Sequence, residues 1–210
     1  MIIVKDSEET REQAAHVIAA GGVIAFRTDT FYGLGADPFN RDALSRVNLL
    51  KGRDGGKPIL VVISDAIEVE RFIETKSQLF ASVSARHWPG ALTIVIKAKP
   101  QVPFELTAGS GTIGLRLPDD EIVRSFIRAC GGALTATSAN LAGEPPARNA
   151  QDVSSSFPTG LDLIVDGGES RGDKPSTVLD ISGERARLLR EGAVSRGELQ
   201  ETLRELGEEI

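Results

Sequence analysis

Short runs of β-branched and other apolar residues alternate along the chain with longer stretches whose apolar positions recur every three or four residues. These two periods predict strands and helices respectively. Residues 2–4 read as a strand. Asp6 and Glu9 have capping-box spacing for a helix carrying Ala14, Val17 and Ile18, stopped by Gly21-Gly22. Residues 23–26 predict the next strand, and Ala43, Leu44, Val47 and Leu50 a second helix. The β-branched run 59–63 reads as a buried strand. Ser64-Asp65 reads as the cap of a helix ending near Phe72 and Ile73, and Ser77 opens another that places Leu79, Phe80 and Val83 on one face.

Strands follow at 92–96 and 113–117, then a helix from Asp119 with Ile122, Val123, Phe126 and Ile127 inward. Further strands are expected at 134–137, 161–165, 177–181 and 186–189, and Asn149 caps a short helix between them. Ser195 and Glu198 form a capping box for a last helix that buries Leu199, Leu203 and Leu206. Strands and helices interleave without strict alternation. The expectation is an α/β protein (α+β in a strict scheme), one domain over residues 1–210, with a single twisted mixed sheet flanked by helices.

Composition narrows the function more than the fold. Forty per cent hydrophobic and 26% charged residues are ordinary globular values. A net charge of -6 argues against a generally basic nucleic-acid binder while leaving room for a local basic cleft. One cysteine, Cys130, excludes an internal disulfide framework, and with only His16 and His87 beside it a Cys/His metal cluster is not expected. No apolar run reaches membrane-spanning length, and residues 2–12 do not have the pattern of a secretory signal, so the expectation is a soluble cytoplasmic protein with no membrane partner.

Three stretches carry candidate chemistry. In GGVIAFRTDTFYGLG, residues 21–35, a strand runs into a turn holding Thr28, Asp29, Thr30 and Tyr32, closed by Gly33 and Gly35. Hydroxyls, a carboxylate and glycines at a strand end suit a small ligand approaching the backbone; for any single threonine a plain polar loop is the better explanation. In KGRDGGKP, residues 51–58, Lys51, Arg53 and Lys57 flank a flexible glycine pair. Such a loop suits a polyphosphate, or it is a solvated basic loop complementing a helix dipole. It is not a phosphate-binding Walker loop, since Lys51 stands where the first glycine is needed and Pro58 follows Lys57. GESRG, residues 168–172, matches a nucleophile elbow by letter only. It leads through Lys174-Pro175 to another strand, and both histidines precede Ser170, so it reads as a turn. Arg116 and Arg190, at strand ends, read as surface pairs or as cations converging with Lys51 and Arg53 on one cleft.

RTDTFYGLG, KGRDGGKP, HWPGALT, TIGLRLP, TATSANLAG, PSTVLDI and LLREGAV occur in an order that resembles the YrdC-like family across essentially the whole chain. The resemblance implies a YrdC-like three-layer fold in its short single-domain form. It implies a nucleotidyltransferase making threonylcarbamoyl-adenylate and pyrophosphate from L-threonine, bicarbonate and ATP, for tRNA threonylcarbamoyladenosine. By the same resemblance Thr30, Arg116 and Ser176 hold threonine. Lys51, Arg53, Lys57, Thr112, Ser138, Asn140 and Arg190 hold ATP, with Lys51 and Arg53 acting on the phosphates in catalysis. Mg²⁺ would be carried by the phosphates rather than by a protein cage. Implied partners are a threonylcarbamoyltransferase and RNA, either tRNA or a double strand. The rival readings are a non-catalytic RNA-binding protein of this fold and a carbamoyl-adenylate-forming enzyme with another acceptor. Arg27, Val62, Ala91 and Pro146 depart from common family residues and bear on substrate choice.

Overall fold

The computed structural model describes residues 2–52, 56–208 and 210. Eleven strands among the described residues form two mixed sheets, where the hydrophobic pattern had predicted one. The first sheet orders β1 (Ile3–Lys5), β9 (Leu163–Asp166), β2 (Ile24–Arg27), β3 (Tyr32–Gly35) and β8 (Thr137–Ser138). The second orders β11 (Arg187–Arg190), β10 (Thr177–Asp180), β5 (Leu92–Lys97), β6 (Thr112–Arg116), β4 (Val61–Ile63) and β7 (Ala133–Thr135). One extended run serves both sheets: β7 pairs antiparallel with β4, and β8 pairs antiparallel with β3. The change of partner falls at Ala136, whose N–H turns to the carbonyl of Leu60 at 2.9 Å. That crossing residue divides what the sequence pattern alone presents as continuous.

β3 was read as part of a polar turn. Its alternation is nevertheless that of a strand: Tyr32 and Leu34 are fully buried in the core, and Gly33 and Gly35 fill the other face. Gly35 meets a steric limit, since a Cβ there would lie 2.8 Å from the Phe26 ring, whereas one on Gly33 would make an ordinary contact 3.5 Å from Ala136 Cα.

The helices are α1 (Glu8–Ala19), α2 (Arg41–Leu50), α3 (Gln78–His87), α4 (Phe104–Thr107), α5 (Glu121–Ala129), α6 (Ala150–Ser156) and α7 (Arg196–Arg204). Ser7, not Asp6, caps α1, because Asp6 is engaged by Arg11. Asp120, not Asp119, caps α5, which leaves Ile122 53% exposed while Val123, Phe126 and Ile127 are buried. The segment after Ser64-Asp65 is a 3-10 helix, Ala66–Arg71. Caps at Asn40, Ser77 and Asn149 and the Ser195–Glu198 capping box are present. No helix among the described residues is long and apolar enough to cross a membrane.

The second sheet decides where a ligand can go. On β5, β6 and β10, Leu92, Ile94, Ile96, Ile113, Leu115 and Leu179 point into the main core. The alternate residues Thr93, Val95, Thr112, Gly114, Arg116, Val178 and Asp180 line a cavity on the opposite face. Gly114 keeps this floor open, since a Cβ there would meet Leu60 Cδ2 at 2.5 Å.

Candidate active site

The cavity has a volume of about 410 Å³, within the range of small-molecule sites. Its wall is completed by the turn between β2 and β3, by residues 136–138, by Pro175-Ser176 and by Leu189-Arg190 on β11.

The β2–β3 turn is built by its own hydroxyls. Thr28 Oγ1 donates to the Phe31 carbonyl at 2.6 Å and accepts from the N–H groups of Thr30 and Phe31 at 3.3 Å. Its proton is thereby used, so the 3.1 Å contact between the two threonine hydroxyls is donated by Thr30. Thr30 Oγ1 in turn accepts from Arg116 Nη1 at 3.0 Å. Arg116 is 5% exposed; its Nη2 pairs with Asp29 and its Nε donates to the Gly90 carbonyl at 3.1 Å. Burial lowers its pKa, while the Asp29 carboxylate opposes the shift. A guanidinium has five N–H donors, so this fixed fork keeps donors for a ligand carboxylate.

Arg190 stands across the cavity wall on a different footing. Its Nε and Nη2 donate to the Ser176 carbonyl at 3.1 and 2.8 Å, and Nη2 also reaches Ser176 Oγ at 3.3 Å. It has no carboxylate partner among the described residues. Burial, and then the positive charge of Arg116, lower its pKa. Two guanidiniums that repel each other in one cavity make an anion site, because a bound anion relieves both the desolvation and the repulsion.

Among the sequence candidates, Thr30, Lys57, Thr112, Arg116, Ser138, Ser176 and Arg190 border this cavity. Lys51 and Asn140 do not. Lys51 is 2% exposed, and its ammonium donates to the Ser138 carbonyl at 2.6 Å, to the Asn140 carbonyl and to Asn140 Oδ1 at 3.2 Å. Arg53 lies outside the described residues. Of the residues that depart from the family pattern, Val62 lines the cavity. Arg27 is buried against Asp120 at 2.8 Å, where burial pushes the Asp120 carboxyl up but Arg27 and the capped N–H groups hold it below its ordinary value.

Sequence reasoning passed over Thr93 and Asp180. Thr93 Oγ1 lies 2.9 Å from Ser176 Oγ, and its signal was a lone hydroxyl in the otherwise apolar strand LTIVI. Asp180 is turned inward by Ser182 and Arg187, which satisfy both of its oxygens. GESRG follows β9 as a loop with no helix after it, and it packs on the site: a Cβ on Gly172 would lie 2.7 Å from Thr30 Cα. No group of three or more His, Cys, Asp or Glu among the described residues could hold a metal ion.

Residues 16–192 match the Sua5/YciO/YrdC family, described as telomere recombination. The chain belongs to that family. It is 34% identical over 189 residues to the threonylcarbamoyl-AMP synthase of Bacillus subtilis, covering 90% of this chain and 55% of that protein. It is 35% identical over 178 residues to the Thiobacillus denitrificans threonylcarbamoyl-AMP synthase, covering 84% and 94%. A solved structure of Pyrococcus abyssi Sua5 with L-threonine superposes with a TM-score of 0.92 at 31% identity, over 97% of this chain and 61% of that one. Escherichia coli YciO matches at a TM-score of 0.80 and 25% identity, over 91% and 95%. The chain therefore spans little more than half the length of some relatives and nearly all of others.

Proposed function

We propose that this member of the family is a threonylcarbamoyl-AMP synthase, a nucleotidyltransferase supplying tRNA threonylcarbamoyladenosine modification. The observation that carries the reading is the cavity with two guanidiniums of unequal pairing. Arg116 is fixed by Asp29 and Thr30, as a carboxylate receptor should be, whereas Arg190 has only Ser176 for a partner among the described residues. Threonine lies with its carboxylate on Arg116 and its polar end near Thr30 and Ser176. ATP occupies the remainder, held by Lys57, Thr112, Ser138 and Arg190, and by Arg53, two residues beyond Lys51 in the sequence. Lys51 and Asn140 act from behind Ser138.

The threonine amine takes up bicarbonate carbon, releasing water and leaving an N-carboxylate. One oxygen of that carboxylate attacks the α-phosphorus, the α–β phosphoanhydride bond breaks, and pyrophosphate departs. No protein nucleophile is needed. The protein aligns two anions and stabilises the charge gathering on the phosphates. Asp180 is already satisfied by Ser182 and Arg187 and offers no cation cage, so Mg²⁺ arrives on the phosphates. A threonylcarbamoyltransferase consumes the product.

Pyrophosphate release from ATP, measured with and without threonine and bicarbonate, tests the proposal. Dependence on both is expected. Release that needs neither overturns it, and RNA binding without any release favours the non-catalytic reading.

A further inference from the structure

The cation that opens KGRDGGKP reads from sequence as a phosphate ligand, yet it is among the most deeply buried charged side chains described. Lys51 is the C-cap residue of α2, and its backbone N–H closes the helix on Leu49 and Val47. Its side chain crosses to a turn 87 residues later and donates to two main-chain carbonyls and one side-chain amide oxygen. Two of these acceptors are main-chain carbonyls, held in place by the backbone. The same turn is held from its other sides. Ala139 N–H donates to the Tyr32 carbonyl at 2.8 Å, and Asn140 Nδ2 donates to the carbonyls of Leu141 and Glu144 at 3.1 and 2.6 Å. Of the three residues linked by the ammonium, Ser138 borders the cavity, and Lys51 and Asn140 do not reach it.

We infer that Lys51 is a positioning residue: its ammonium clamps the 138–140 turn to the end of α2 and so aims Ser138 into the cavity. This rests on the nucleotide reading above but reassigns the lysine within it. A phosphate ligand must have its charge facing solvent-filled space before the ligand arrives. A clamp must have its charge enclosed by fixed acceptors, as Lys51 does. Lys57, which is exposed and borders the cavity, has the geometry expected of a ligand.

The two roles predict different dependence on the number of phosphates. In Lys51→Met, loss of the clamp weakens ATP and AMP in the same proportion to one another as Ser138→Ala does, with ATP weakened on the order of tenfold. A Lys51→Met loss confined to ATP where Ser138→Ala weakens both nucleotides marks a direct β- or γ-phosphate contact and overturns the inference. A double-mutant cycle with Ser138→Ala gives a second reading. Lys51→Met with Ser138→Ala should bind ATP no worse than Lys51→Met alone, whereas additive losses overturn the positioning role. Should Lys51→Met fail to fold, structures of the parent chain with AMP and with a non-hydrolysable ATP analogue decide. Nζ remaining on the Ser138 and Asn140 carbonyls in both supports the clamp, and Nζ on a phosphate overturns it. A parent chain that binds neither nucleotide overturns the nucleotide reading itself and the clamp with it.

Discussion

The two polar turns that border the cavity are held by opposite means. The turn between β2 and β3 is stitched from within by Thr28 and Thr30, then fixed by Arg116 from above and by the Arg27–Asp120 pair at its base. The turn after β8 has no such internal lattice of hydroxyls. It takes its shape from Lys51 at the end of α2 and from the Asn140 amide reaching forward to Glu144. A turn whose staples are its own neighbours is encoded locally and visible as a motif. A turn shaped by a cation 87 residues away is not, and the cation itself then passes for a ligand.

The comparison is broken most severely at the base of the first turn. Arg27 and Asp120 are 7% and 12% exposed at their side chains, so Arg27→Pro leaves a nearly buried carboxylate without its cation. The expected loss is about 3 kcal/mol of unfolding free energy. Composition alone would suggest tolerance, since proline fits the end of a strand. Urea denaturation of the variant against the parent checks this, and an unchanged midpoint would show that the pair contributes nothing.

Next in size is a contrast between two glycines. Gly172 presses on the first turn, and an added Cβ would sit 2.7 Å from Thr30 Cα and 2.9 Å from its carbonyl oxygen. Both neighbours are backbone and cannot swing aside, so Gly172→Ala should cost about 2 kcal/mol and displace Thr30, with threonine affinity falling at least ~10-fold. Gly143, beyond the second turn, has open space around it but a φ of 89°. Gly143→Ala should cost about 1 kcal/mol through backbone strain and leave threonine affinity unchanged. Calorimetric titration with threonine alongside thermal melts separates the two.

Smaller still are the effects of removing single hydroxyls. Thr30→Ala strips a hydrogen-bond acceptor from buried Arg116, and threonine binding should weaken by about 1.5 kcal/mol while ATP binding holds. Ser138→Ala should do the reverse by about 1 kcal/mol. Isotherms for both ligands on both variants test the division; one that weakened both ligands equally would show that the turns do not serve separate substrates.

What was legible in the sequence follows the same division. Helices with a capping residue and a periodic face were readable at their starts, as α3 after Ser77 and α7 after Ser195 show, although α7 ends at Arg204 and leaves Leu206 beyond it. β3 was not, because two glycines in four residues resemble a turn until the Phe26 ring shows why nothing larger fits at Gly35. The split into two sheets was invisible for a comparable reason: it hangs on one residue, Ala136, changing partner within an extended run. At the site, Thr30, Arg116 and Arg190 stood out by residue type, whereas Thr93 and Asp180 could be found only once strand register placed alternate residues of β5 and β10 on the cavity face.

The last and smallest effect is the change in the Arg27–Asp120 pair's contribution with acid. Asp120 caps α5 through the N–H groups of Ile122 and Val123 and pairs with Arg27; Arg27 and these bonds outweigh burial and hold its carboxyl below the ordinary value. A carboxyl depressed in the folded state binds fewer protons there than in the unfolded chain. Its stabilisation is therefore complete above the unfolded value, about 3.9, and is lost as pH falls through the folded value. Asp120→Asn keeps a capping side chain and removes only the titrating charge. The variant also leaves buried Arg27 without its anion, so it should be less stable than the parent at pH 6 by about 3 kcal/mol, with the difference narrowing toward pH 3. Unfolding free energies at several pH values check this, and a difference that stayed constant with pH would mean that the Asp120 charge contributes nothing to holding the first turn.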